Sequence, residues 1–224
     1  MKASKELRSL ASPNAAEGAK RFFKTGKGQY AEHDKFLGVS IPTVRKVAKN
    51  YYHLELDEIE ILLSSPYNEE RFLALVLIVH KYESSPKAVF DFYIKNLSYV
   101  NNWNLVDASA HFIVGKHLLN SDKSFLLTLA KSKNMWYRRV AIVATWYFIR
   151  NNHYDWTIKL AEILLTDSHD LMHKATGWML REVGKKDETV LLGFLEKHHT
   201  KMPRTMLRYS IERLNKEQRK WFLG

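Results

Sequence analysis

The sequence predicts an all-α chain built from repeated helical pairs, and three observations carry that prediction. Glycine (nine) and proline (five) are scarce among 224 residues and fall at breaks. Apolar residues recur at helical spacing. No Asn-Gly or Asp-Gly hairpin signal and no long alternating run is present. The prolines stand in Ser12-Pro13, Ile41-Pro42, Ser65-Pro66, Ser85-Pro86 and Met202-Pro203. Each pair suits a helix entrance or an interhelical turn, because proline lacks the N–H that a helix interior needs and its first turn does not. Helical stripes follow in order: Leu56, Ile59, Leu62 and Leu63; then Phe125, Leu126 and Leu129; then Ile158, Ala161, Ile163 and Leu164; then Leu191, Leu192 and Leu195. Leu73 to Val79 alone reads as a buried strand. Its flanks, Glu69-Glu70-Arg71 and His80-Lys81-Tyr82, are helical and decide for a helix.

The second members of successive pairs resemble one another. They are Glu70-Arg71-Phe72-Leu73-Ala74-Leu75, Arg138-Arg139-Val140-Ala141-Ile142-Val143, Lys174-Ala175-Thr176-Gly177-Trp178-Met179 and Arg204-Thr205-Met206-Leu207. Arg71 to Arg139 is 68 residues, two steps of 34; the next steps are 35 and 30. The skipped position near 105 falls in Trp103-Asn104-Leu105-Val106-Asp107, the start of another helix. A period near 34 fits tetratricopeptide or HEAT-like helical pairs, which stack into a curved solenoid. The expected architecture is an all-α superhelix of helical repeats, with residues 1–224 forming a single domain and a basic concave face. On that face the cation near the start of each inner helix, at Arg71, Arg139, Lys174 and Arg204, would form a column.

Composition narrows the function. The formal charge is +11, with eleven Lys/Arg against four Asp/Glu in residues 1–50, twelve against fourteen in 51–170, and twelve against six in 171–224. The cations are interleaved with apolar residues, as in Arg204-Thr205-Met206-Leu207-Arg208-Tyr209-Ser210-Ile211. That spacing gives a folded helix with one basic face, not a charged tail. Such a surface favours nucleic acid, an anionic membrane or another acidic partner. Cysteine is absent, which excludes a disulfide scaffold, a cysteine nucleophile and thiolate metal sites. The start, Met1-Lys2-Ala3-Ser4-Lys5-Glu6-Leu7-Arg8, has no signal-peptide core. The longest apolar run is seven residues, where a membrane helix needs about 20. The expected location is the cytoplasm, away from any membrane.

Few motifs suggest chemistry. Gly-x-Ser-x-Gly and Rossmann glycine runs are missing, and Thr25-Gly26-Lys27-Gly28 fails as a P-loop because Arg21 stands where its first glycine belongs. His169 and His173, beside Asp167 and Asp170, have the spacing of a metal corner, and His198-His199 is a weaker case. Histidines near a helix start are commoner than ligands, so no metal is expected. The informative set is Trp103 with Asp107, Trp136 with Arg138 and Arg139, and Trp178. Trp103 and Asp107 are four apart and share one helix face.

Trp103-Asn104-Leu105-Val106-Asp107, Trp136-Tyr137-Arg138-Arg139-Val140-Ala141 and Lys174-Ala175-Thr176-Gly177-Trp178-Met179-Leu180-Arg181-Glu182 together resemble the AlkD-like family of DNA alkylation-repair proteins. The match runs in order from Phe36-Leu37-Gly38-Val39 to the C-terminal basic helix. The resemblance implies an all-α, right-handed α-α superhelix of HEAT-like helical repeats with a basic concave face, acting on double-stranded DNA. It implies a monofunctional glycosylase that hydrolyses the N-glycosidic bond of cationic alkylated purines such as 3-methyladenine and 7-methylguanine. Asp107 would be its catalytic carboxylate. Trp103 and Trp178 would border the lesion, and Arg139 would lie near the lesion and the backbone. Arg138, Lys174, Arg204, Arg208 and Arg71 would contact DNA. Trp136, Phe22 and Tyr30 are further candidates for lesion contact, Phe22 being nearest to a tyrosine that the glycosylases carry on an early helix. The stretch Thr25 to Asp34 departs from the family pattern, which leaves a non-catalytic DNA-binding HEAT-repeat protein as the alternative. An interaction solenoid for acidic proteins is the third reading. No cofactor is implied, no obligate protein partner is evident, and a monomer is expected.

The chemistry of a cationic purine suits this set. Such a base departs neutral and needs no general acid. Positive charge builds on the deoxyribose, where a carboxylate near C1′ stabilises it and orients water. Indole faces attract a cationic base by about 0.5–2 kcal/mol.

Overall fold

The computed structural model describes all of Met1–Gly224. Every regular element is a helix, and the sole β feature is an isolated parallel bridge between Lys35 and Tyr67. No helix is long and apolar enough to cross a membrane. The chain forms two compact units, Met1–Ser109 and Ala110–Gly224.

The first unit holds α1 (Lys2–Ser9), α2 (Pro13–Phe23), α3 (Ile41–Lys49), α4 (Leu56–Leu63), α5 (Asn68–Lys81), α6 (Pro86–Lys95) and most of α7 (Trp103–Ala110). The prolines act as expected. Pro13 opens α2 behind the Ser12 cap, Pro42 lies in the first turn of α3 behind Ser40, and Pro86 opens α6. The run from Leu73 to Val79 is helical, and α5 packs against α3, α4 and α6. A helix covered by three others must be apolar all round, which explains a stripe that looks like a strand.

The first turn of α5 also carries three consecutive charged residues after Asn68, all buried. Each fastens a different segment. Glu69 accepts the backbone N–H groups of Leu37 (3.0 Å), Gly38 (2.8 Å) and Val39 (3.3 Å). Glu70 accepts Arg8 of α1 at 2.8 Å, with Ser4 and Ser65. Arg71 donates to Asp34 and to the Ser65 carbonyl (2.8 Å). Gly38 has φ +77°, and a Cβ there would run into the Ser12 carbonyl oxygen, so only glycine lets this segment meet α2.

The second unit begins within α7 and continues through a π-helical turn (His111–Gly115) into the short α8 (Lys116–Leu118). It then has α9 (Ser124–Ala130), α10 (Met135–Arg150), α11 (Asp155–Ile163), α12 (Asp170–Gly184), α13 (Glu188–His198), α14 (Arg204–Ser210) and α15 (Lys216–Leu223). α10 packs on α9, α11 and α12, and α12 packs on α11, α13 and α14. The repeated segments around Arg138, Lys174 and Arg204 thus lie near the starts of α10, α12 and α14, as the period predicts. Gly177 is the contact point of α12 with α14, since an added Cβ would meet Met206 O at 2.5 Å and Tyr209 Cβ at 2.6 Å.

Candidate functional site

In the first unit the site residues hang on one buried carboxylate. The loop after α2 ends in the Lys35–Tyr67 bridge, where Lys35 N donates to Pro66 O (3.0 Å) and Asn68 N to Lys35 O (2.8 Å). That docking carries Asp34 beneath the start of α5. Asp34 accepts from Arg71, from Asn68 Nδ2 (2.9 Å) and from Asn102 Nδ2 (2.6 Å), and His33 Nε2 lies 3.1 Å away. Burial pushes the Asp34 carboxyl up, but the hydrogen bond from His33, the Arg71 charge and the two amides outweigh it and hold the group below its ordinary range. The hydrogen bond to Asp34 in turn raises His33.

Asn102 transmits this anchor to α7, because its Oδ1 accepts the Trp103 N–H at 2.7 Å. Asn104 and Asn68 add a reciprocal amide pair (2.7 and 3.3 Å). The first turn of α7 is therefore fixed by polar contacts to residues far away in the chain. On it the Trp103 ring stacks on Phe23, centroids 5.0 Å apart at 14°, and meets Phe22 edge-on at 5.8 Å. Phe23 stacks in turn on Phe36 at 4.8 Å. Phe22, at 68% exposed, presents its ring to solvent at the end of α2. A cleft of about 260 Å³ opens beside these rings, lined by Ala15, Ala19, Phe23, Phe36 and Asn104. Asp107 is half-buried one turn after Trp103. Its charge helps to raise the fully buried Tyr93, after burial itself, and the Tyr93 hydroxyl meets Ser109 Oγ at 2.9 Å.

In the second unit Asn134 caps α10 through the Trp136 N–H (2.9 Å). Arg138 bonds Asp167 at 2.5 and 3.1 Å and the carbonyls of Ser132 (2.9 Å) and Lys133 (3.0 Å). Arg139 is buried and donates to Leu171 O at 2.6 Å. Trp178 of α12 is half-buried and sits edge-on to Trp146 of α10 at 5.0 Å. Trp146 packs against His111, ring centroids 4.5 Å apart. His111 is buried with Nδ1 unpartnered, and burial followed by the nearby Arg150 charge lowers it to about 4. Lys174 pairs with Asp170 at 2.8 Å, Arg204 is exposed and reaches Leu223 O at 2.9 Å, and Arg208 is exposed.

Sequence reading expected Arg71 to be a phosphate-binding cation, and the structure corrects this. Arg71 is 3% exposed and neutralises Asp34, so it builds the scaffold under α7. Trp136, a candidate for lesion contact, is also buried. Tyr30 is half-buried in the loop after α2. The histidines of the suspected metal corner have other partners. His169 Nδ1 accepts the Leu171 N–H and caps α12, and His173 Nε2 meets Asp167 O at 2.5 Å. Sequence reasoning passed over Asp34, Asn102, Phe23, His111 and Trp146. Of these, Asn102 was readable as a polar cap immediately before an apolar-periodic helix.

A family model described as DNA alkylation repair enzyme matches residues 3–214. Among solved structures, a protein from Enterococcus faecalis described as a predicted DNA alkylation repair enzyme has the same fold, with a TM-score of 0.71. The match covers 92% of this chain and 98% of that one at 19% identity. No curated protein matches.

Proposed function

This chain belongs to the family of DNA alkylation repair enzymes, and from that premise we propose that it is a monofunctional DNA glycosylase for cationic alkylated purines such as 3-methyladenine and 7-methylguanine in duplex DNA. We read residues 1–224 as one HEAT-like repeat domain working as a cytoplasmic monomer without a cofactor. The observation that supports the reading most is the first turn of α7. Trp103 and Asp107 share a face there, and a buried hydrogen-bonded anchor holds that turn in place.

In this reading the C1′–N bond breaks with its electron pair going to the purine, which leaves neutral. Asp107 stabilises the cationic sugar and orients the water that adds to C1′ and gives up a proton. Trp103 and Trp178 attract the cationic base through their ring faces. Phe22, exposed beside Trp103, is a further contact for the lesion. Arg204 and Arg208 contact phosphates along α14 and Lys174 exchanges Asp170 for a backbone phosphate, while Arg138 and Arg139, held by Asp167 and the Leu171 carbonyl, fix the start of α10 near the lesion and its backbone.

The experiment is release of methylated purines from alkylated duplex DNA. Wild type should release them, and Asp107→Asn should lose at least 100-fold in rate, on the order of what loss of an electrostatic stabiliser costs. Release that survives Asp107→Asn would remove Asp107 from catalysis. Duplex binding with no release at any enzyme excess would favour the second reading, a non-catalytic DNA-binding protein. That reading draws on Phe22, which has no hydroxyl where the glycosylases carry a tyrosine.

A further inference from the structure

Most arginines near the candidate site residues already have an acceptor. Arg71 has Asp34, Arg138 has Asp167, Arg139 has the Leu171 carbonyl and Arg181 has Glu212. Arg150 is different. It is exposed in the last turn of α10, and it makes no hydrogen bond or ion pair. Its guanidinium carbon instead lies 5.4 Å from the Tyr147 ring centroid, 5.8 Å from Trp146 and 5.8 Å from Phe112.

The local chain explains the arrangement. Tyr147 and Trp146 precede Arg150 by three and four residues, and helical side chains lean toward the N-terminus, so Arg150 folds back over both rings. Phe112 comes from the π-helical turn. A Cβ on Gly115 would run into the Ala144 carbonyl oxygen, so glycine lets that turn press against α10 and supply the third ring. The rings restrain the guanidinium without satisfying its N–H donors, because an aromatic face attracts the charge but accepts no in-plane hydrogen bond. One of these rings, Trp146, is the ring that Trp178 packs against edge-on.

We propose that Arg150 is a pre-oriented phosphate-binding residue, taking a DNA backbone phosphate next to the Trp146–Trp178 pair. A planar fork with open donors matches two oxygens of a phosphodiester, and the strongly basic chain favours a polyanion over an isolated carboxylate. The inference rests on the duplex-DNA reading above and adds a contact that no motif in the sequence signals.

Duplex binding to unmodified DNA, measured across salt, is the test. It does not depend on base excision and so separates this contact from the catalytic reading. Arg150→Gln should weaken binding about tenfold at low salt and reduce the slope of log affinity against log salt by about one. Arg150→Lys should restore the slope but only part of the affinity, since a point charge lacks the fork. Lys159 lies 4.6 Å over Trp156 on α11 and serves as the matched control, so Lys159→Gln should leave the slope unchanged. An Arg150→Gln protein that keeps the wild-type slope overturns the proposal, whether or not its melting temperature falls. A slope lost equally in Lys159→Gln also overturns it, by showing only a diffuse charge effect. Weakened duplex binding in Arg150→Gln, together with an Asp107→Asn protein that binds duplex normally but excises slowly, would support both assignments separately.

Discussion

The two units hold their tryptophans by different physics. Trp103 in the first unit is placed by a buried polar hub: Asp34, Arg71, Asn68 and Asn102 fix the turn that carries it. Trp178 in the second unit is placed by close packing: a bare glycine backbone beside it lets α12 meet α14, and its ring lies edge-on to Trp146. A polar hub tolerates changes in volume but not in charge. A glycine contact tolerates changes in charge but not in volume. The candidate residues of the two units should therefore fail under different substitutions and different solvents.

The largest effect should come from the hub. Asp34→Ala leaves the Arg71 guanidinium buried without its counter-charge, which costs about 3–5 kcal/mol. Thermal unfolding should fall by about 6–20 °C for a chain of this size. The corresponding change in the second unit, Asp167→Ala, should cost about 1–2 kcal/mol, because the Arg138 side chain is partly exposed and keeps two carbonyl acceptors. Equal losses from the two would break the comparison.

Acid should separate the units next. An unfolded His111 takes its proton near 6.5, whereas the folded one waits until about 4. Between those values the unfolded state binds the proton first, so the second unit loses up to about 3 kcal/mol as pH falls. His33 in the first unit behaves oppositely. Its folded value is raised by Asp34, so its contribution is complete below the unfolded value and is lost as pH rises through the folded one. Asp34 and Glu70 are both depressed, and their contribution is lost only as pH falls through and below the usual carboxylate range. Amide exchange from pH 7 to 4.5 should therefore show α10 opening while α5 stays protected. Parallel loss in both helices would sink this account.

A smaller effect sharpens the packing side. Gly177→Ala should cost about 1–3 kcal/mol, since the new methyl meets helix backbone with little freedom to yield. Gly193 on α13 faces open space, so Gly193→Ala should stabilise by up to about 1 kcal/mol through helix propensity. Denaturant midpoints of the two variants check the sign as well as the size.

The helices and their breaks were readable because they rest on local rules: proline at entrances, apolar spacing, and a period near 34. The shared face of Trp103 and Asp107 was readable for the same reason. The fate of the cations was not. Arg71 stands between Glu69 and Glu70 on one side and apolar residues on the other, yet its partner is Asp34, 37 residues away. Arg138 finds Asp167 across 29 residues. A charge column read from spacing assumes that each cation faces solvent, and tertiary pairing decides that. Arg150 shows the reverse case. Its spacing to Trp146 and Tyr147 is plain in the sequence, but Phe112 joins them only through a π-helical turn with no local signature beyond Gly115.

Gly177 and Trp178 are neighbours in one short motif and answer to different demands. The glycine reports that two helices cross without room for a methyl, and the indole reports what lies in front of them. Distant relatives can therefore be sorted by which of the two letters they keep. A chain retaining the first and losing the second has inherited an architecture whose chemistry was free to drift.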